Sequence, residues 1–257
     1  WAKAICARLV GLDVNWFCQS SVDVAKDDAL LDVMARAGCL GIIIGFESLD
    51  TISLEETHKT QNLVSDYSSA VRAIHDRGIQ VIASFVVGFD ADGTGAYEAI
   101  ESFIEENDIV TPMISVLSVA PGTKLHERMA ARGRLTGAPP RFIDGIHPHN
   151  LRYARMSQLE LLVAHRESLE RVFSFDAASS RALRLLRNGR FSNPLSRDIS
   201  AGEKFSVSLR LLWRMFSSPN RNKRRVYRKM FRLIREGIAS PDRVVMVLMD
   251  VEASELH

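Results

Sequence analysis

Residues 40–87 read LGIIIGFESLDTISLEETHKTQNLVSDYSSAVRAIHDRGIQVIASFVV. The stretch opens on one continuous apolar run and closes on another. Between them, SDYSSAVRAIHDR at 65–77 repeats its apolar residues at helical spacing and stops at Gly78. Strands apolar on both faces and joined through a helix are the signature of a parallel sheet with crossovers, because each face must be covered. The same alternation extends outward. Residues 2–10 predict a helix and 13–20 (DVNWFCQS) a strand. Residues 27–37 (DDALLDVMARA) predict a helix with acids in its first turn and Gly38 just past its end. Residues 94–106 predict a further helix, and 112–119 (PMISVLSV) a fourth strand. The class is α/β, and two architectures accommodate it: a (β/α) barrel entered in mid-unit, or a doubly wound sheet.

A chain of 257 residues with 46% apolar and 25% charged residues is long enough to bury a real core. That composition excludes a disordered, collagenous or membrane-spanning protein, and no apolar run approaches the ~20 residues of a spanning helix. Cys6, Cys18 and Cys39 match no zinc or disulfide spacing, so they are expected as buried thiols in a reducing cytoplasm. The chain opens Trp-Ala-Lys-Ala-Ile without an initiator Met, and is expected to be a piece of a longer polypeptide. Gly137, Pro139, Pro140, Gly145 and Pro148 punctuate a loop, after which helices are expected at 157–174, 181–187, 205–216 and 226–238. Residues 242–251 read as strand or helix. Two regions follow: an α/β region over 1–135 and a helical, basic region over 136–257. Between Arg181 and Arg235 stand sixteen Lys or Arg against two acids, a charge of +14, which leaves −12 for the rest of a chain of net charge +2.

In parallel α/β folds, function gathers at the carboxyl ends of the strands. Those ends carry Gln19-Ser20-Ser21, Gly45-Phe46-Glu47-Ser48, Gly88-Phe89-Asp90-Ala91-Asp92 and Ala120-Pro121-Gly122-Thr123. Glu47, a carboxylate at the end of an apolar run, suits either a ribose diol or the cap of the next helix. The run GFDADGTG lacks the later ligands of a calcium loop and the Lys-Ser/Thr of a phosphate loop, so a tight strand-to-helix turn is expected there. His147 and His149 lack the partners of a metal site, and no nucleophile stands near His58, His75, His126 or His165 in sequence. No metal ligand and no catalytic residue is assigned.

Taken together, AKDDALLDVMARAGCLGIIIGFESLD, ETHKTQN, GIQVIASFVVGFDAD and SVLSVAPGTKLHERMAARGRL resemble the later part of the radical S-adenosylmethionine (SAM) barrel. The likeness is greatest to the cobalamin-dependent class with a helical C-terminal extension, which includes hopanoid methylases. It runs over about residues 10–135. It implies a partial (β/α) TIM-like barrel of which this chain holds strands three to six, followed by an α-helical domain. It also implies a [4Fe–4S] cluster on a CxxxCxxC loop that cleaves SAM to a 5′-deoxyadenosyl radical. This chain has no CxxxCxxC, so the cluster ligands, and any cobalamin domain, are expected outside it, and the chain alone is expected to be inactive. By the resemblance, Glu47 and Ser84 contact the SAM ribose and Lys59 pairs the methionyl carboxylate. Val86, Gly88, Ala120 and Pro121 lie against the adenine, and Gln19 sits near the methionyl group. The family's GxIxG appears here as Ser84-Phe85-Val86-Val87-Gly88, with Ser for the first glycine. Methylation of a small-molecule or lipid substrate is the expected outcome.

Residues 205–238 interleave Phe205, Leu209, Trp213, Phe216, Tyr227 and Phe231 with Lys and Arg. Such a segment packs its apolar face on the protein, lies on anionic lipid, or contacts RNA phosphates. A peripheral membrane contact suits a lipid substrate, and nucleic acid is not expected. The rival reading is a non-catalytic membrane- or RNA-binding scaffold.

Overall fold

In the computed structural model, the residues described are 1–56, 64–136, 150–189, 191, 209, 213 and 216–253. The apolar runs become β1 (Trp16–Ser20), β2 (Cys39–Glu47), β3 (Gln80–Val87) and β4 (Thr111–Val116). All pair in parallel, in the order β1-β2-β3-β4, so β1 and β4 form the edges. Pro112 falls on β4, consistent with the rule that proline is confined to edge strands of a sheet. The intervening helices are α1 (Ala2–Leu9), α2 (Asp28–Arg36), α3 (Thr51–Glu56), α4 (Val64–His75) and α5 (Gly95–Glu106). Then come α6 (Lys124–Ala131), α7 (Gln158–Val172), α8 (Phe175–Asn188), α9 (Arg221–Arg235) and α10 (Pro241–Ala253).

Period-two burial divides the sheet into two faces. Ile42, Ile44, Phe46, Ala83, Phe85, Val87, Ile114 and Val116 point to the covered face, where α2, α4 and α5 pack. Phe46 stacks on Phe85 with ring centroids 5.6 Å apart, and Tyr67 and Phe103 meet Phe46 edge-on at 4.7 and 5.4 Å. Such pairs contribute about 0.5–1.5 kcal/mol each beyond their buried area. The opposite face is open: Gln19, Ile43, Gly45, Ser84, Val86, Met113 and Ser115 are half-buried or exposed.

A second apolar cluster joins α8, α9 and α10 through Ala182, Leu186, Met230, Leu233, Val244, Val247 and Val251. The ambiguous segment 242–251 is helical because Val244, Val247, Leu248 and Val251 recur at helical spacing and all are buried, with Pro241 at the first position. Helix α7 packs on α5. Its N-terminus is closed by a capping box between Ser157 and Glu160. The expected helix at 205–216 lies largely outside the described residues, as do His147 and His149.

Candidate functional site

The register of the sheet lays out the open face in rows. Gln19, Ile43, Ile82 and Thr111 are successive partners across the four strands, and Gly45, Ser84 and Met113 form the next row. Gly45 has no side chain beside Ser84, which leaves the hydroxyl lateral room. One step nearer the carboxyl ends, Val86 partners Ser115. The ladder slips between Gly45 and Glu47, so that Glu47 lies opposite Phe85.

The slip has a local cause. Glu47 has φ +66°, a left-handed value uncommon outside glycine, and the Ser48 N–H donates to the Phe46 carbonyl at 2.9 Å. A bond from residue i+2 back to i around a positive φ is the rare, strained form of γ-turn. Tyr67 on α4 donates its hydroxyl to the same Phe46 carbonyl at 3.0 Å and so holds the turn from the covered side. Glu47 does not cap the next helix. Asp50 does, accepting the Ser53 N–H at 2.9 Å, while the Ser48 hydroxyl accepts the Asp50 N–H at 3.0 Å.

Past β3 the chain turns at Gly88, with φ +125°. A Cβ there would stand 2.7 Å from the Tyr153 ring, so glycine is required both by conformation and by space. The turn is braced by Asp92, 3% exposed, whose Oδ2 accepts the N–H groups of Gly88 and Phe89 at 2.8 and 3.0 Å. Its Oδ1 accepts the Ser53 hydroxyl at 2.7 Å, tying this turn to α3. The expected strand-to-helix turn is therefore present, with Asp92 as its internal brace. Asp90 pairs instead with Arg134, and with Arg132 at 3.2 Å. A cavity of about 240 Å³ lies between Asp50, Val86, Asp92 and the start of α5.

Beyond β4, the Leu117 N–H still donates to the Val87 carbonyl at 2.8 Å. Asn150 then imitates a strand partner for Val119, accepting its N–H at 3.0 Å and donating to its carbonyl at 2.6 Å. Tyr153 donates to the Leu117 carbonyl at 2.9 Å. Ala120 and Pro121 follow, both exposed, and the Thr123 hydroxyl accepts the His126 N–H to cap α6.

Gln19, Ser84 and Val86 thus share the open face, with Glu47 at the γ-turn that ends β2 and Gly88, Ala120 and Pro121 in the loops beyond β3 and β4. Lys59 lies outside the described residues. Asn150 and Tyr153, which shape the far wall, carry no motif and are recognisable only once the fold places them. Asp92 is visible in GFDADGTG, but its role follows from its bonds.

The thiols of Cys18 and Cys39 interact between β1 and β2: that contact lowers Cys18, while it raises Cys39 together with burial. Burial and the neighbouring Cys18 also push Cys6 up. Among the described residues no group of three or more His, Cys, Asp or Glu is placed to hold a metal, so they do not fit a [4Fe–4S] cluster. A serine hydroxyl on the open face and a glutamate in the turn at the end of the neighbouring strand are residue types that fit the hydroxyl groups of a nucleoside.

No family model matches the chain. It is 28% identical over 180 residues to the hopanoid C-2 methylase of Rhodopseudomonas palustris, covering 69% of this chain and 34% of that one. It is 32% identical over 123 residues to the bacteriochlorophyllide d C-12(1)-methyltransferase of Chlorobaculum tepidum, covering 48% and 27%. The chain therefore spans about a third or less of these curated relatives. Among solved structures, the radical S-adenosylmethionine methyltransferase TsrM of Kitasatospora setae, with cobalamin and a [4Fe–4S] cluster bound, is similar over 56% of this chain and 29% of that one. The TM-score is 0.47 at 20% identity. By its sequence relatives, then, this chain is kin to methyltransferases that include a hopanoid methylase, the class its strand ends resemble.

Proposed function

We propose that this chain is the SAM-binding segment of a radical SAM methyltransferase, its sheet forming strands three to six of a partial (β/α) barrel. The observation that carries the reading is the placement of Gln19, Ser84 and Val86 on one open sheet face, with Glu47 in the turn at the carboxyl end of β2, in a chain whose relatives are methyltransferases. Glu47 accepts hydrogen bonds from the ribose diol, and the γ-turn fixes its backbone before ligand arrives, so little ordering remains on binding. Ser84 supplies a second polar contact beside Gly45. Val86, Gly88, Ala120 and Pro121 provide the adenine wall, Lys59 meets the methionyl carboxylate, and Gln19 lies toward the methionyl chain. The chemistry of methyl transfer belongs to SAM, a [4Fe–4S] cluster and cobalamin when bound, with the cluster ligands and the cobalamin site outside this chain. A non-catalytic scaffold is not favoured, because its relatives are methyltransferases.

The test is made on the native polypeptide that contains this chain. Peptide mapping is expected to find a CxxxCxxC upstream of Trp1, and anaerobic equilibrium dialysis to show SAM binding that Glu47→Ala weakens at least about tenfold, the loss of one or two charge-assisted bonds. A native protein without that motif, or one that binds no SAM, overturns the reading. The isolated chain is expected to yield no 5′-deoxyadenosine under reducing conditions.

A further inference from the structure

Helix α9 carries Arg221, Arg224, Arg225, Arg228, Lys229 and Arg232 around an open groove of about 430 Å³. Val226, Tyr227, Met230 and Leu233 on its opposite side are buried against the second cluster, so the cations face outward. Several guanidinium groups elsewhere in the fold are paired: Arg77 with Asp28 and Asp32, Arg171 with Glu101, Arg184 with Glu105 and Asp108. On this face no carboxylate among the described residues forms an ion pair with the six cations. Their arrangement also opposes two ordinary preferences. Arg221 and Arg225, and Arg228 and Arg232, are like charges at i and i+4, which repel. Arg221 and Arg224 stand in the first turn, where the helix dipole disfavours cations, and no acid is present there. A face built against its own helix is explained by a partner that supplies the negative charge.

The neighbouring residues indicate which partner. Leu209, Trp213 and Phe216 are 54%, 68% and 71% exposed. They recur at i, i+4 and i+7, the spacing of one helical face. Exposed Leu, Trp and Phe shortly before a dense Lys and Arg face in the chain give the composition of a bilayer-surface contact, with the rings at headgroup depth and the cations on the phosphates. We infer that the outer face of α9, together with Leu209, Trp213 and Phe216, is a docking surface for a bilayer carrying anionic lipids. The contact is peripheral: no helix among the described residues is long and apolar enough to cross a membrane. It also differs from an amphipathic helix lying in the lipid, since the apolar side of α9 is already used inside the protein. The inference does not depend on SAM binding and is read by a separate measurement.

The full chain is to be sedimented with sucrose-loaded phosphatidylcholine vesicles, with and without phosphatidylserine. Expected are pelleting with the anionic vesicles only, loss of pelleting as salt rises, and a blue shift of emission that Trp213→Phe removes. Replacing Arg225, Arg228 and Arg232 with Gln lowers partitioning about a hundredfold, at about fivefold per cation. These side chains are exposed and their like-charge repulsion is relieved, so the thermal midpoint does not fall. Changing Leu209, Trp213 and Phe216 to Ser weakens binding to the same vesicles while leaving its salt dependence in place. The inference is overturned by equal pelleting with neutral and anionic vesicles, or by none with either. It is also overturned if the three arginines are needed for single-stranded RNA while anionic vesicles are ignored.

Discussion

The sheet layer and the α8–α10 layer are held by different means. In the sheet, the polar backbone is satisfied by its own ladders, and the side chains need only fill space between β2, β3 and α4–α5. The helical layer is fastened to it by guanidinium groups. Arg181, 1% exposed, donates to the Ile109 carbonyl at 2.7 Å and the Val172 carbonyl at 2.7 Å. Arg184 reaches Asp108 and the Glu105 backbone and carboxylate, and Arg243 donates to the Gly78 carbonyl at 2.8 Å. The basic surplus of this region therefore has two uses. One set of arginines turns inward to join the layers, while the set on α9 turns outward.

The largest expected effect breaks that fastening. Arg181→Met leaves two buried carbonyls without a donor and should destabilise by about 3–5 kcal/mol, read from the denaturant midpoint. If the joint is the weak point, the helical layer unfolds first and the transition splits when followed by separate probes. Gly88→Ala attacks the sheet layer instead. A Cβ against Tyr153 at φ +125° should cost about 2–3 kcal/mol in the same assay, and Tyr153→Ala should recover the steric part only.

A pH series compares the layers directly through one group in each whose titration the fold shifts, the buried His75 and the half-buried Asp250. On α4, burial holds His75 down at about 4, and its Nε2 accepts the Val81 N–H at 3.3 Å. The unfolded chain, near 6.5, takes up that proton first, so stability present above pH 6.5 is lost as the pH falls toward 4, by up to about 3 kcal/mol. On α10, burial pushes Asp250 up to about 6, with Gln80 holding it partly back. Here the native state binds the proton more readily, and stability is gained as the pH falls through 6. The two slopes oppose one another between pH 6 and 4. Asp250→Asn should stabilise by about 2 kcal/mol at pH 7 and expose the loss from His75, at about 1.4 kcal/mol per pH unit. Denaturation at several pH values measures it, and an unchanged profile would remove either assignment.

The smallest effect is also the most selective. Glu47→Gly relieves the positive φ and should raise stability by about 1 kcal/mol while SAM binding falls. A variant that loses stability instead would show that the carboxylate, and not the turn, holds the end of β2.

The strands were legible because apolar runs and glycine stops act locally. The expected limits at 40–46 and 79–87 lie within a residue of β2 and β3. The fourth strand was read three residues too far at its carboxyl end, since Val119 finds its partner in the side chain of Asn150 and not in a neighbouring strand. Helices α3 and α6 were not anticipated. In α6 Met129 is the single buried residue, too little for an apolar period. At the site, residue types were readable and conformation was not. Nothing in GFES announces a left-handed Glu47, and nothing near Gly88 announces Tyr153, sixty-five positions away. Arg181 shows the same limit, because a buried arginine has no local sign in a segment full of exposed ones.

The two edges of the sheet also differ in how they would meet another chain. Pro112 removes one donor from β4 and so blunts that margin as a template for strand addition. β1 carries no proline, and Phe17 is 53% exposed along it. In this chain on its own, self-association should therefore begin at Trp16–Ser20, the margin that strand two of the proposed barrel would pair with.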